Sequence, residues 1–182
     1  MLQRILIASV LLSLAMPTLA RDWQVDAAHS TLTFKGSYQG EAFSGAFKKF
    51  SATIAYDESD LATAKFDVAI DLASVDTQNS ERDDTLSEPE FFATKKFPQA
   101  HFVTQSFAKA ADGGVEAKGT LTIRDQSKPV TLKVRFAASG NTATLDVDTT
   151  LQRLEFGLGA GSDWTDIGMD VPVHGHLQLS AK

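Results

Sequence analysis

His174 and His176 lie two residues apart near the end of the 182-residue chain. On a β-strand this spacing puts both imidazoles on one face, where they could share a metal ion. No third ligand follows at useful spacing. Val171, Val173, Leu177 and Leu179 occupy the opposite phase, so the pair is expected to point outward into solvent. His29 beside Ser30 could be a base next to a nucleophile, but neighbours on an extended strand face opposite ways. A turn or packing role is expected for His29. Gly157, Gly159 and Gly161 form a G-x-G-x-G run without the βα unit and third spacing of a dinucleotide site. Asp163, Asp166 and Asp170 lack the close spacing and terminal Glu of a calcium loop. Asp83-Asp84 is a carboxylate pair of the kind common on solvated helices. There is no cysteine nucleophile, G-x-S-x-G elbow or Walker motif. Nothing in this inventory suggests catalysis, which moves the question to the apolar residues and the elements that carry them.

Those elements read as short strands. Trp23–Asp26 and Thr31–Lys35 begin a first strand with Leu32 and Phe34 on one face. Along 65–72, Phe66, Val68, Ile70 and Leu72 alternate with Lys65, Asp67 and Asp71, the pattern of an antiparallel strand with one face buried. Further strands are expected at 51–56, 101–107, 115–123, 130–136, 142–151 and 169–181. Turns fall at Asp57–Asp60, Asp112–Gly114, Asp125–Pro129 and Ser139–Asn141. Many short strands with turns between them indicate a sandwich or a closed barrel. The stretch 74–102 breaks the pattern: Asn79 or Ser80 can cap a short helix over 81–87.

Length and charge bound the class. Arg4, the apolar run 5–16 and Thr18-Leu19-Ala20 read as a secretory signal peptide over residues 1–20, leaving one domain over 21–182 outside the cytoplasm. The apolar run falls short of the roughly 20 residues a bilayer needs. With no cysteine, the core alone must hold the fold, although an oxidising compartment would permit disulfides. Loss of Arg4 takes the formal net charge from −6 to −7, which argues against nucleic acid or anionic lipid headgroups as partners.

Phenylalanine is abundant, with 12 residues, and it clusters at 43–50 and 91–107, partly beside Gly36, Gly40 and Gly45. Such a surplus fits either a large ordinary core or a barrel only partly filled by its own side chains. Several motifs stand in order along the chain. They are Asp26-x-x-His29-Ser30, Gly45-x-Phe47-x-x-Phe50, Ser74-Val75-Asp76-Thr77, Arg82-Asp83, Leu86, Phe91-Phe92, Phe97-Pro98 and Phe102, followed by Gly119-x-Leu121-Thr122-Ile123, Lys128-Pro129-Val130 and Arg153-x-x-Phe156-Gly157. Together they resemble the YceI-like family of polyisoprenoid-binding proteins, over the whole mature chain.

The resemblance implies a periplasmic, mainly β protein: a single antiparallel lipocalin-like barrel with a short helical insertion around residues 79–92. Its cavity would carry a long-chain isoprenoid, a quinone-like lipid or a fatty-acyl amphiphile, without a catalytic cofactor. A b-type membrane cytochrome is an expected partner from the same resemblance, and a homodimer is an expected state. Expected wall residues are Phe34, Phe43, Phe47, Phe66, Val68 and Phe92. Phe102, Leu121, Phe136, Leu145, Phe156 and Trp164 complete the set. Leu86, Phe91 and Phe92 are expected to fold over one barrel end as a lid. Two rival readings are an enzyme acting on a bound lipid through His29 or His101, and an interaction subunit with a filled barrel.

Overall fold

The computed structural model describes residues 20–111 and 113–182; the leader expected over 1–20 lies outside them except for Ala20. Among the described residues the strands are β1 (Asp22–Tyr38), β2 (Glu41–Phe47), β3 (Phe50–Ala55), β4 (Lys65–Asp71), β5 (Val75–Asp76), β6 (Gln99–Lys109), β7 (Val115–Ile123), β8 (Gln126–Ser139), β9 (Thr142–Gln152) and β10 (Asp170–Ala181). One α-helix, α1 (Ser80–Ser87), follows β5. Every strand pair is antiparallel, and β10 returns to β1 from Trp23↔Ala181 to Phe34↔Val173, closing the sheet. β2 runs on into β3, and β4 into β5 through the 3₁₀ turn Leu72–Ser74, each pair forming one interrupted stave. Counted so, the barrel has eight staves. Closure removes the exposed edges that an open sheet would leave unpaired.

Alternation builds each strand as the sequence implies. Phe66 is buried, while Lys65 and His101 lie on the outer face. The turn between β7 and β8 differs from expectation. It is confined to Arg124 and Asp125, with Arg124 at φ 58°, and Gln126–Pro129 already belongs to β8. Pro129 pairs opposite Thr120, where the run was expected to turn.

The motif at Asp26–Ser30 is a bulge. Four residues, 27–30, oppose the single Leu177 between the pairs Asp26↔Gln178 and Thr31↔His176. Asp26 accepts from the Ala28 amide at 3.0 Å and meets His29 Nδ1 at 2.8 Å. Ser30 Oγ donates to the Asp26 carbonyl at 2.6 Å and accepts from the Gln178 amide at 3.0 Å, so a hydroxyl replaces the missing ladder acceptor. His29 faces outward and Ser30 is buried, so the two face opposite ways.

The interior divides in two along the barrel axis. At the end holding both ends of the domain, Trp23, Tyr56, Phe66, Phe107 and Phe136 stack, with Tyr56–Phe136 at 4.8 Å and Trp23–Phe136 at 5.3 Å between ring centroids. Trp23 donates its indole N–H to the Tyr56 carbonyl at 3.0 Å. Leu145, Val134 and Leu177 complete this solid plug. At the other end a second cluster, with Phe91, Phe92, Phe102 and Phe156, surrounds a hollow.

Candidate ligand-binding cavity

The hollow measures about 620 Å³ and is lined mainly by inward-facing residues from the upper half of the barrel. On every stave the same inward face passes from plug to cavity. In β4 Phe66 belongs to the plug while Val68 and Ile70 line the cavity. In β8 Val134 and Phe136 lie in the plug, and Val130 and Leu132 line the cavity. In β9 Leu145 is in the plug, and Val147 and Leu151 are on the wall. Several of these inward wall residues are only partly buried, because they look onto empty space instead of packed atoms.

The expected wall residues therefore separate by height. Phe34, Phe43, Phe47 and Val68 line the cavity, as do Phe92, Phe102, Leu121, Phe156 and Trp164. Phe66, Phe136 and Leu145 do not: they face inward as expected but sit at plug height, where neighbouring rings fill the lumen. Sequence phase gives the face of a strand and not the level along the barrel axis.

The glycines beside the phenylalanines have a packing cause. Phe34 pairs across the ladder with Gly45, and Gly36 with Phe43. Each ring lies over the opposite glycine, and a Cβ on Gly36 would come 2.5 Å from Phe43 Cζ. Removing those two side chains lets both rings lie along the wall instead of standing across the lumen. Phe34 and Phe47 then meet at 5.5 Å, and Phe47 and Phe92 at 5.9 Å, between centroids.

Two segments cover the cavity end. The first is α1 with the turns that follow it. Asn79 Oδ1 accepts from the Arg82 amide at 3.0 Å, capping the helix N-terminus. Thr77 is buried, and its amide and hydroxyl both donate to Asp83 Oδ1, at 2.9 and 2.7 Å. After the helix, Phe91 and Phe92 turn inward and are buried. Arg82 Nε donates to Thr77 Oγ1 at 3.1 Å, and its guanidinium stacks 4.1 Å from the Phe43 ring centroid.

The second segment runs from Arg153 to Gly168 and is organised by one side chain that sequence reasoning left without a role. Arg153 is buried and donates from Nε to the Gly168 carbonyl at 3.1 Å. Nη1 donates to Leu158 and Gly159, at 2.7 and 2.6 Å, and Nη2 to Trp164 and Ile167, both at 3.0 Å. All five guanidinium N–H groups thus meet carbonyl oxygens, and burial holds the arginine below its ordinary pKa. The 3₁₀ turn Arg153–Phe156 ends at Gly157 with φ 68°, a conformation that favours glycine. The G-x-G-x-G run is the stem of this loop. Its signal was the arginine three residues before Phe156-Gly157, a spacing with no chemistry of its own.

No histidine lines the cavity. His101 Nε2 meets Asp67 at 2.7 Å on the outer face. His174 and His176 also lie outside, with Nδ1 atoms 2.8 Å from Asp148 and 2.7 Å from Asp146. Among the described residues no group of His, Cys, Asp and Glu is arranged to hold a metal ion. Most polar residues of the lining, Lys35, Tyr38, Asn79, Glu81, Arg82 and Thr85, stand at the mouth, and Thr149 on β9 adds one hydroxyl to an otherwise mainly apolar wall.

The model of the YceI-like domain matches residues 23–179, from the first plug residue to the last stave. The chain belongs to the YceI-like family. A UPF0312 protein of Shewanella denitrificans is 36% identical over 141 residues, covering 74% of each chain. The crystal structure of Burkholderia cenocepacia BcnA superposes with a TM-score of 0.80 at 31% identity, covering 85% of this chain and 99% of that one. A polyisoprenoid-binding domain from Saccharophagus degradans, implicated in plant cell wall breakdown, shares the fold at a TM-score of 0.68 and 20% identity. It covers 91% of this chain and 100% of that one. The motif Asp26-x-x-His29-Ser30 serves here as the closing bulge, and Arg153-x-x-Phe156-Gly157 as the hub of the second cover.

Proposed function

We propose that this YceI-like protein is a periplasmic carrier that sequesters a long-chain isoprenoid or quinone-like lipid in its barrel. The observation that carries the reading is a hollow of about 620 Å³ with an apolar lumen, plugged at one end and polar at its mouth. That is the shape of an amphiphile: a chain inside and a head at the rim. The name of the Saccharophagus degradans domain, polyisoprenoid binding, supports a lipid of this class.

Energetics make such binding self-sufficient. Each buried methylene contributes roughly 0.8 kcal/mol, so about 15 buried carbons contribute on the order of 12 kcal/mol before association costs. No conspicuous polar constellation is required. The enzyme reading loses its nominated bases, because His29 and His101 both project outside the barrel. The filled-barrel reading is disfavoured by the hollow itself.

Native mass spectrometry of protein purified from its own periplasm tests the proposal. A reproducible adduct of prenyl-lipid mass, or uptake of added prenyl alcohol by delipidated protein, is the expected result. Protein that is always ligand-free and takes up none overturns it.

A further inference from the structure

Arg82 is held in a way that leaves half of it unused. One face of its guanidinium covers the Phe43 ring at 4.1 Å, and its Nε donates to Thr77 Oγ1 at 3.1 Å. Thr77 is itself fixed, because its hydroxyl donates to Asp83 Oδ1 at 2.7 Å. Asp83 thus orients the arginine through a buried threonine without forming an ion pair with it. Both terminal nitrogens, Nη1 and Nη2, have no hydrogen-bond partner among the described residues. The residue lines the cavity mouth. It contrasts with Arg153, in the same wall, whose five N–H groups are all taken.

The other charges at the mouth do not complete this site. Glu81 is exposed on the first turn of α1. Lys35 lies in the outward phase of β1, exposed between the inward Phe34 and Gly36, and borders the cavity, where it adds to the positive field around Arg82. Arg82 is therefore a charged, pre-oriented fork at the edge of an apolar chamber, and it acts at contact distance, where the net negative charge that disfavours an anionic lipid surface is screened beyond about 8–10 Å. A neutral head group closing the mouth would desolvate that charge without compensating it, which is costly. A head group with two anionic oxygens would meet both Nη atoms in a bidentate, charge-assisted pair.

We propose that Arg82 is the specificity-determining residue of the cavity and selects amphiphiles with an oxyanion head, a phosphate or a carboxylate, over the corresponding alcohols. This rests on the carrier reading and names the polar end of its ligand.

Displacement of a fluorescent lipid from delipidated protein provides the test. Two pairs are compared: geranylgeranyl monophosphate with geranylgeraniol, and hexadecanoate with hexadecanol. In the native protein at least one anionic member binds about tenfold or more tightly than its alcohol, and the larger ratio identifies the head-group class. In Arg82→Gln that ratio falls to about one while both alcohols keep their affinities. Arg82→Lys, which keeps the charge and loses the fork, falls between. Native ratios near one, or ratios unchanged in Arg82→Gln, overturn the assignment while leaving the carrier reading intact. Failure of all four lipids to bind the native protein overturns both. Should Arg82→Gln not fold, the native ratios and Arg82→Lys decide the matter.

Discussion

Trp164 donates its indole N–H to Glu90 Oε2 at 3.1 Å, joining two segments 74 residues apart in the chain. The contact is reinforced on both sides. The Phe91 ring meets Trp164 edge-on at 5.0 Å, and the Gly159 amide donates to the Glu90 carbonyl at 2.8 Å. The turns after α1 and the loop Arg153–Gly168 therefore form one cover over the cavity.

If that cover gates the cavity, loosening the seam speeds release more than it lowers stability. Trp164→Phe removes this one exposed hydrogen bond, worth about 1 kcal/mol. Transfer of a preloaded fluorescent lipid to acceptor vesicles is expected to accelerate severalfold in Trp164→Phe, with a melting temperature within a few degrees of wild type. An unchanged transfer rate would place the exit elsewhere.

Arg153→Leu has the opposite signature. It strands the carbonyls of Leu158, Gly159, Trp164, Ile167 and Gly168 that the guanidinium now satisfies. Even partial exposure of these groups to water leaves a loss of about 3 kcal/mol, from penalties of about 1–3 kcal/mol per unsatisfied group. Urea unfolding is the measurement, and a change below 1 kcal/mol would refute the hub role. Arg153→Lys is expected to recover little, since an ammonium has three donors on a single atom.

The division of the interior into plug and cavity is testable by paired substitutions. Leu132→Trp projects a large ring into the hollow and is expected to abolish lipid uptake with stability retained. Phe136→Ala in the plug is expected to lower stability by about 3 kcal/mol while uptake persists. If both variants lose uptake equally, the two regions are not functionally distinct.

Alkaline titration reports on the plug. Burial, followed by the neighbouring charges of Glu58 and Asp57, pushes the Tyr56 phenol up to about 12. The unfolded phenol ionises near 10. The native state therefore holds a proton that the unfolded chain has lost, so Tyr56's contribution is intact below pH 10 and declines as pH rises from 10 to 12. Ultraviolet titration is expected to show a late phenolate step near 12 that Tyr56→Phe removes. A Tyr56 step near 10 in protein that is still folded would contradict this.

Much of the fold was legible in the sequence because period-two alternation survives folding. Val68, Ile70 and Leu72 face inward and Asp67 outward on the strength of local spacing alone, since successive Cβ atoms leave opposite faces of a strand. The outward placement of His174 and His176 followed from the same rule, and so did the opposed directions of His29 and Ser30. The order of motifs was enough to place the chain in its family. The height of each inward residue was not legible. Phe66 and Val68 share a face of one strand, yet Phe66 packs into the aromatic plug and Val68 looks onto the cavity. That difference is set by the register of eight staves around a closed barrel, a relation among distant segments that no local pattern encodes. Arg153 and Arg82 were equally opaque. Both are arginines in matched motifs, but one has every donor bound to carbonyls and the other keeps two nitrogens unpartnered at the mouth. A side chain's free donors depend on which carbonyls and rings folding brings to it, and here the tertiary structure alone decided which arginine holds the cover and which keeps its terminal nitrogens unpartnered among the described residues.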